Sequence, residues 1–157
     1  MPTSLDRLDL ALLRLLVKQP RAGMREYARL LGVARGTVQA RIQRLEDSGV
    51  VTGYAAAIST TALGFRVLAF VHLHLAQGNL DAVSAALAQV PEVLEAHSIT
   101  GEGDLLCRVA ARDNGHLERV VQVIVGLPGV VRTRTEIALN ERVPPRVLPL
   151  LDGDLSG

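Results

Sequence analysis

The sequence predicts an α+β chain in which an N-terminal (winged) helix-turn-helix precedes a ferredoxin-like βαββαβ domain. Three observations predict it. Apolar residues over the first fifty positions recur at helical steps, with Gly32 between the second and third helical stretches. From residue 65 the apolar period switches between about two and about 3.6 in the order βαββαβ. The charge is also split: residues 1–55 carry nine Lys/Arg against five Asp/Glu, a net of +4, and the remainder eight against eleven, a net of −3. Only the front of the chain is suited to a polyanion.

Leu5 to Lys18 reads as the first helix, with Leu5, Leu8, Leu12, Leu15 and Leu16 on one face. Asp6 and Asp9 stand near its start, where the helix dipole favours acids. Gln19-Pro20-Arg21 breaks it. Met24 to Leu31 is the second helix, burying Tyr27 or Ala28 with Leu30 and Leu31. The third runs from near Arg35 to near Ser48, with Val38, Ile42 and Leu45 as its buried stripe. Its other faces carry Arg35, Thr37, Gln39, Arg41, Gln43 and Arg44. Arginine can grip guanine with two bonds, glutamine adenine, and threonine can meet a thymine methyl. A helix with that outer surface suits the major groove. Gly49 stops it, and Val50-Val51 is expected as an apolar strand.

Tyr54 to Gly64 is small and apolar and marks the domain junction, readable equally as helix or extended chain. Val67 to Leu75 is β-branched and apolar, hence a strand. Asn79 to Gln89 is a helix, closed by Pro91, with Leu80, Val83, Leu87 and Val90 at helical spacing. Val93 to Thr100 and Asp104 to Ala111 are strands joined through Gly101-Glu102-Gly103. Gly115 to Leu127 is a helix with Leu117, Val120, Val121 and Ile124 inward, and Val130 to Leu139 is the last strand. Both helices should cover one sheet face, with Val67, Ala69, Val71, Leu73, Leu105, Cys107, Val109, Val131, Thr133, Thr135 and Ile137 pointing to them. The other face would hold Leu68, Phe70, His72, His74, Leu106, Arg108, Ala110, Arg132, Arg134 and Glu136, a mixture that points to dimerisation. The expected division is therefore 1–53, a connector at 54–64, a second domain at 65–143 and a tail at 144–157, whose Val147, Leu148, Leu150 and Leu151 would dock on the sheet domain or a partner.

Composition narrows the function. No apolar run is long enough for a membrane span, and MPTSLDRLDL does not read as a secretion signal. A single cysteine, Cys107, excludes an internal disulfide framework and a cysteine-based zinc site, and a cytoplasmic setting is expected. Aromatics at 3% make stacking on single strands a poor reading. His72 and His74 share a strand face, but no carboxylate or cysteine lies near them in sequence, so no metal is expected; no cofactor and no catalytic pair is placed by a motif either.

The order Leu5-Asp6-x-x-Asp9-x-x-Leu12-Leu13, Gly32-Val33, Val38-x-x-Arg41-Ile42-x-x-Leu45, Gly49-Val50 and Tyr54 resembles the amino-terminal half of Lrp/AsnC (feast/famine) regulators. The resemblance continues through Leu63-Gly64, Thr100-Gly101-x-x-Asp104, Leu127-Pro128-Gly129-Val130 and Thr133-x-Thr135. Two positions depart from it: Ala34 stands where a capping serine is usual, and Gly23 where a polar residue is. The resemblance implies a sequence-specific transcriptional regulator that binds double-stranded DNA and is not an enzyme. Arg35, Gly36, Thr37, Gln39, Arg41 and Arg44 are the candidate DNA-binding residues, with Arg41 and Arg44 meeting phosphates or packing internally. It also implies that 54–64 is a connecting strand, that homodimers assemble into tetramers or octamers, and that a small effector, usually an amino acid, binds between subunits. Ser98, Gly101, Glu102, Gly103, Asp104, Thr133 and Thr135 are the candidate effector-binding residues; Leu105, where the family has an aromatic, leaves the ligand's identity open. Two rivals stand beside this reading: a sirohaem-decarboxylase-like enzyme using His72, His74, His97, Arg108, Arg132 and Arg134, and an amino-acid sensor without DNA binding.

Overall fold

The computed structural model describes residues 4–152; the ends of the 1–53 and 144–157 segments lie outside the described residues. The chain divides into two compact units, one built from residues 1–56 and 143–157, the other from 57–142.

The first unit holds three helices, α1 (Arg7–Lys18), α2 (Met24–Leu31) and α3 (Arg35–Asp47). Asp6 caps α1 rather than belonging to it: its carboxylate accepts from the Asp9 backbone N–H while Asp9 returns the bond, a reciprocal capping box. Gly32 closes α2 at φ 66°, a left-handed turn in which a side chain would be strained. Leu12, Leu13, Tyr27, Ala28, Val38, Ile42 and Leu45 form the core, whereas Leu30 is exposed. The Tyr27 hydroxyl donates to the Gln19 carbonyl at 2.8 Å, tying α2 to the break after α1.

Two expectations in this unit are corrected. Val50-Val51 is not a strand, and no wing is present among the described residues. Instead both N–H groups bond back to the Leu45 carbonyl at 2.9 and 3.0 Å, which closes α3 on itself. The described part of the tail packs within the helical unit, a place that the expectation of a sheet or a partner did not include. Its 3₁₀ turn, Leu148–Leu151, packs on α1, where Leu151 joins the helical core and Arg14 binds the Asp152 carboxylate at 2.9 Å.

The connector is likewise neither strand nor helix. Residues 54–59 have no regular structure, and a turn at 60–64 is closed by Phe65 N–H to the Thr60 carbonyl. Tyr54, Ile58 and Leu63 are left exposed.

The second unit has strands β1 (Val67–Leu75), β2 (Val93–Ser98), β3 (Leu105–Ala111) and β4 (Val130–Ile137), with helices α4 (Leu80–Leu87) and α5 (Asn114–Val125). The sheet is antiparallel in the order β2-β3-β1-β4, the ferredoxin-like arrangement. Both helices cover one face. Ala69, Val71, Leu73, Leu105, Cys107 and Val109 meet Val83, Leu87, Leu117, Val120 and Ile124 in one core. Burial pushes the Cys107 thiol up to about 11, so it behaves as a core residue. Val131 overturns its expected orientation. His74 pairs with Arg132 but Leu75 with Val130, so Val131 is the extra residue of a bulge, turned outward, and Val130 takes the core position.

Both tyrosines of the chain lie in the helical unit, which makes their fluorescence a selective probe of it. Leu45 is fully buried. Leu45→Ala should destabilise that unit by about 2–5 kcal/mol, seen as a lowered tyrosine-fluorescence melting transition; an unshifted transition would show that the stripe does not hold α3.

Candidate nucleic-acid interface and effector recesses

α3 is apolar on one edge and polar elsewhere, and the structure seats it accordingly. Val38, Ile42 and Leu45 face the core, and Arg35, Gly36, Thr37, Gln39, Gln43 and Arg44 are exposed. Ala34 occupies the N-cap and offers no side-chain hydrogen bond. The first backbone N–H groups of α3 are thus uncapped by a side chain, and they bear the partial positive charge of a helix amino terminus. Arg35, Gly36 and Thr37 lie in that first turn, so an arginine, a threonine and a close-approach glycine share one exposed end.

Arg41 and Arg44 are placed differently. Arg41 donates through Nη1 to Asp6 Oδ2 at 2.6 Å and to Asp9 Oδ1 at 2.8 Å, and Arg44 through Nη2 to Asp9 Oδ2 at 2.5 Å. Asp9 is completely buried, the sole buried charged residue among the described residues. Both guanidinium groups therefore face inward onto α1 rather than standing free. The Arg41 hydrogen bond and the Asp9 backbone N–H hold the Asp6 carboxyl down at about 2. Burial opposes ionisation of Asp9, but the Asp6 N–H, Arg41 and Arg44 outweigh it and keep that carboxyl below its usual range. Sequence reasoning placed Asp6 and Asp9 only as helix-start acids. The signal that pairs them was present: two acids three residues apart at one helix start, two arginines three apart on another helix.

The seven candidate effector residues do not form one pocket within the chain. Ser98 and Asp104 line a recess of about 280 Å³ together with Leu75, Ala76, Gln77, Gly78, Leu80 and Ile99. Glu102 and Thr133 line another, of about 330 Å³, with His72, His74, Arg132 and Arg134. Thr135 lies in a third, against Asn114, Leu117, Glu118 and Val121 of α5. Thr135 sits opposite Val71, on the helix-covered side of the sheet. Gly101 and Gly103 form the turn itself at φ 105° and 101°, and a Cβ on Gly103 would come 3.1 Å from the Leu73 carbonyl oxygen. Asp104 anchors the turn, donating its N–H to the Leu73 carbonyl and accepting the Leu75 N–H on Oδ2 at 2.7 Å. The loop after β1, which supplies Ala76, Gln77 and Gly78 to the Ser98–Asp104 recess, escaped sequence reasoning.

The open sheet face carries paired ions among apolar groups. Arg108 binds Glu95 at 2.6 Å, Arg134 binds Glu102 and Glu136, and Arg132 meets His74 at 3.2 Å. Leu68, Phe70 and Leu106 are half-buried beside them. His97, across from Leu106, completes the set of histidines and arginines on that face.

A model of the AsnC-type helix-turn-helix domain matches residues 5–46, and one of the Lrp/AsnC ligand binding domain matches 68–148. The HTH-type transcriptional regulator FL11 of Pyrococcus horikoshii is 31% identical over 150 residues, 96% of this chain and 99% of the relative. Among solved structures, a feast or famine regulatory protein from M. tuberculosis complexed with L-methionine has a TM-score of 0.84 at 34% identity, covering 92% of this chain and 98% of that one. E. coli AsnC has a TM-score of 0.86 at 26% identity, covering 93% and 99%.

Acid should loosen the helical unit. Carboxyls held below their ordinary value contribute stability that is complete above the unfolded pKa of ~3.9. It is lost as pH falls toward the folded value of about 2. Tyrosine fluorescence followed through that window should report the loss, with its onset changed in Asp6→Asn. Identical acid profiles for the two proteins would discount the cluster.

Proposed function

The chain belongs to the Lrp/AsnC family of transcriptional regulators, and from that premise we propose that it binds duplex DNA through the amino end of α3. The observation that carries this reading is the joint exposure of Arg35, Gly36, Thr37 and Gln39 at a helix start with no capping side chain. Uncapped N–H groups and the dipole suit a phosphate there, Gly36 allows close approach, and Arg35, Thr37 and Gln39 supply donors of the kind that read base edges. Arg41 and Arg44 are left out of the contact set because they are bound to Asp6 and Asp9.

The assembly unit in this reading is a homodimer packed through the open sheet face, joining further into a tetramer or octamer and acting in the cytoplasm. Half-buried Leu68, Phe70 and Leu106 supply apolar area, and most of the charges among them are already paired. Two α3 helices related by a two-fold axis would prefer a pseudo-palindrome with half-sites about 34–36 Å apart, or a multiple of that.

The effector in this reading is an amino acid held at subunit junctions. Support comes from the recess lined by Ser98 and Asp104 beside the Gly101–Gly103 turn, and from the mycobacterial relative described as complexed with L-methionine.

Two experiments test these statements. Arg35→Ala should relax base preference in a selection from random duplexes while the helical unit keeps its melting temperature; retention of the parent's preferred site would remove Arg35 from the reading surface. Isothermal calorimetry with a panel of amino acids, run beside mass measurements, should give heat and a change in assembly for at least one. A panel with no heat and no change in mass would eliminate the amino-acid effector.

A further inference from the structure

α3 holds three arginines, Arg35, Arg41 and Arg44, and among the described residues Arg41 and Arg44 have acid partners while Arg35 has none. Asp9 is responsible for most of that difference. It is buried at the base of α1, and each of its oxygens takes a guanidinium from α3. Oδ2 also accepts the Asp6 N–H at 3.0 Å, so the carboxylate is fixed by its own helix before it meets the arginines. Together Asp6, Asp9, Arg41 and Arg44 form a neutral cluster joining the start of α1 to the second half of α3.

We infer that Asp9 is a positioning residue for DNA discrimination: it withholds Arg41 and Arg44 from phosphates, leaving base reading to the amino end of α3. The inference rests on the reading that α3 enters the DNA groove. Its physical basis is the difference between the two kinds of contact. Cations on phosphates raise affinity for every sequence alike, while contacts to base edges discriminate. Arg44 is half exposed, and with no acid behind it the guanidinium would turn outward and neutralise a phosphate whatever the sequence. Arg41, at 25% side-chain exposure, has Asp6 as a second partner and would stay. A carboxylate that only braced the fold would affect specific and non-specific binding in the same direction. One that withholds a cation and also ties α3 to α1 acts on both terms: without it the freed cation raises affinity for every sequence, while the loosened helix loses base-edge contacts, so the ratio of the two falls.

The test uses the full chain, a preferred duplex obtained by selection and a scrambled duplex, each titrated across a range of salt. Asp9→Asn keeps the side-chain volume but leaves Arg44 without a counter-charge. The variant should bind scrambled duplex more tightly, with the slope of log K against log salt steeper by ~0.9 per subunit, and the ratio of preferred to scrambled affinity should fall. Arg44→Gln in the normal background should leave the slope unchanged, because that cation is not on a phosphate; in the Asp9→Asn background it should cancel the added slope. A parallel loss of both affinities in Asp9→Asn at unchanged slope, with tyrosine fluorescence still native, would overturn the inference. So would a shallower slope in Arg44→Gln alone, a measurement that decides the matter even where Asp9→Asn does not fold. Failure of the unaltered protein to bind any duplex at low salt is a separate outcome: it refutes the α3 reading and this inference with it.

Discussion

A carboxylate buried as completely as Asp9 requires compensating charge, since an unpaired ion in that position costs several kcal/mol. The chain supplies it from α3, and this one requirement fixes much else. Arg41 and Arg44 sit three residues apart and face the same way as the apolar stripe's edge, so meeting Asp9 and burying Val38, Ile42 and Leu45 are satisfied by one orientation of the helix. The capping box that starts α1 belongs to the same network, because the Asp9 oxygen that takes Arg44 also accepts the Asp6 N–H. Helix start, helix packing and the outward rotation of α3 are therefore one constraint. A buried ion pair is weak evidence for net stability, but it is strongly orienting. Orientation is what a helix presenting a few side chains to a groove requires.

The sheet unit obeys a different constraint, the alternation of β1 at its centre. Odd-numbered residues from Ala69 to Leu73 are fully buried under α4 and α5, which commits His72 and His74 to the opposite face. The bulge at Val130–Arg132 lets β4 contribute Val130 to the core and still set Arg132 beside His74. Asp104 closes the adjoining corner, its backbone and carboxylate bonding to Leu73 and Leu75 at the end of β1. The recess that includes Ser98 and Asp104 is thus rimmed by backbone held at both ends rather than by a free loop.

Periodicity made the elements legible. Helical spacing located α1, α2, α3, α4 and α5 to within a turn, and β-branched runs located all four sheet strands. What failed to read from sequence was whatever depended on one backbone group or on a partner far along the chain. Val50-Val51 has strand composition, yet two N–H groups turned back to the Leu45 carbonyl decide its conformation. Val131 followed the alternation only until the bulge reversed it. The tail's leucines announced an apolar docking site, but nothing in their spacing distinguished the sheet from α1. Within the candidate sites, the exposed amino end of α3 could be read because it is local to one helix. The pairing of Asp9 with Arg41 and Arg44 could not, since it spans more than thirty residues, although matched spacings on the two helices foreshadow it.

The tail changes how the helical unit is held. The chain leaves that unit after residue 56 and rejoins it at 143, so two covalent connections bear on it rather than one. The returning segment lands on α1, where Arg14 binds the Leu151 carbonyl and the Asp152 carboxylate. α1 is also the helix whose first turn clamps α3 through Asp9. Tail, α1 and α3 therefore make a contiguous path of contacts that ends at the proposed reading surface. Contiguity alone transmits nothing; a path couples two sites only where it contains an element with two discrete arrangements. The Arg14–Asp152 pair is solvent-facing, and such pairs are worth roughly 0–1 kcal/mol, whereas Asp9 is locked by three donors. Any switch along this path belongs at the tail's junction with α1, since that contact can release without exposing a buried charge and the clamp on α3 cannot.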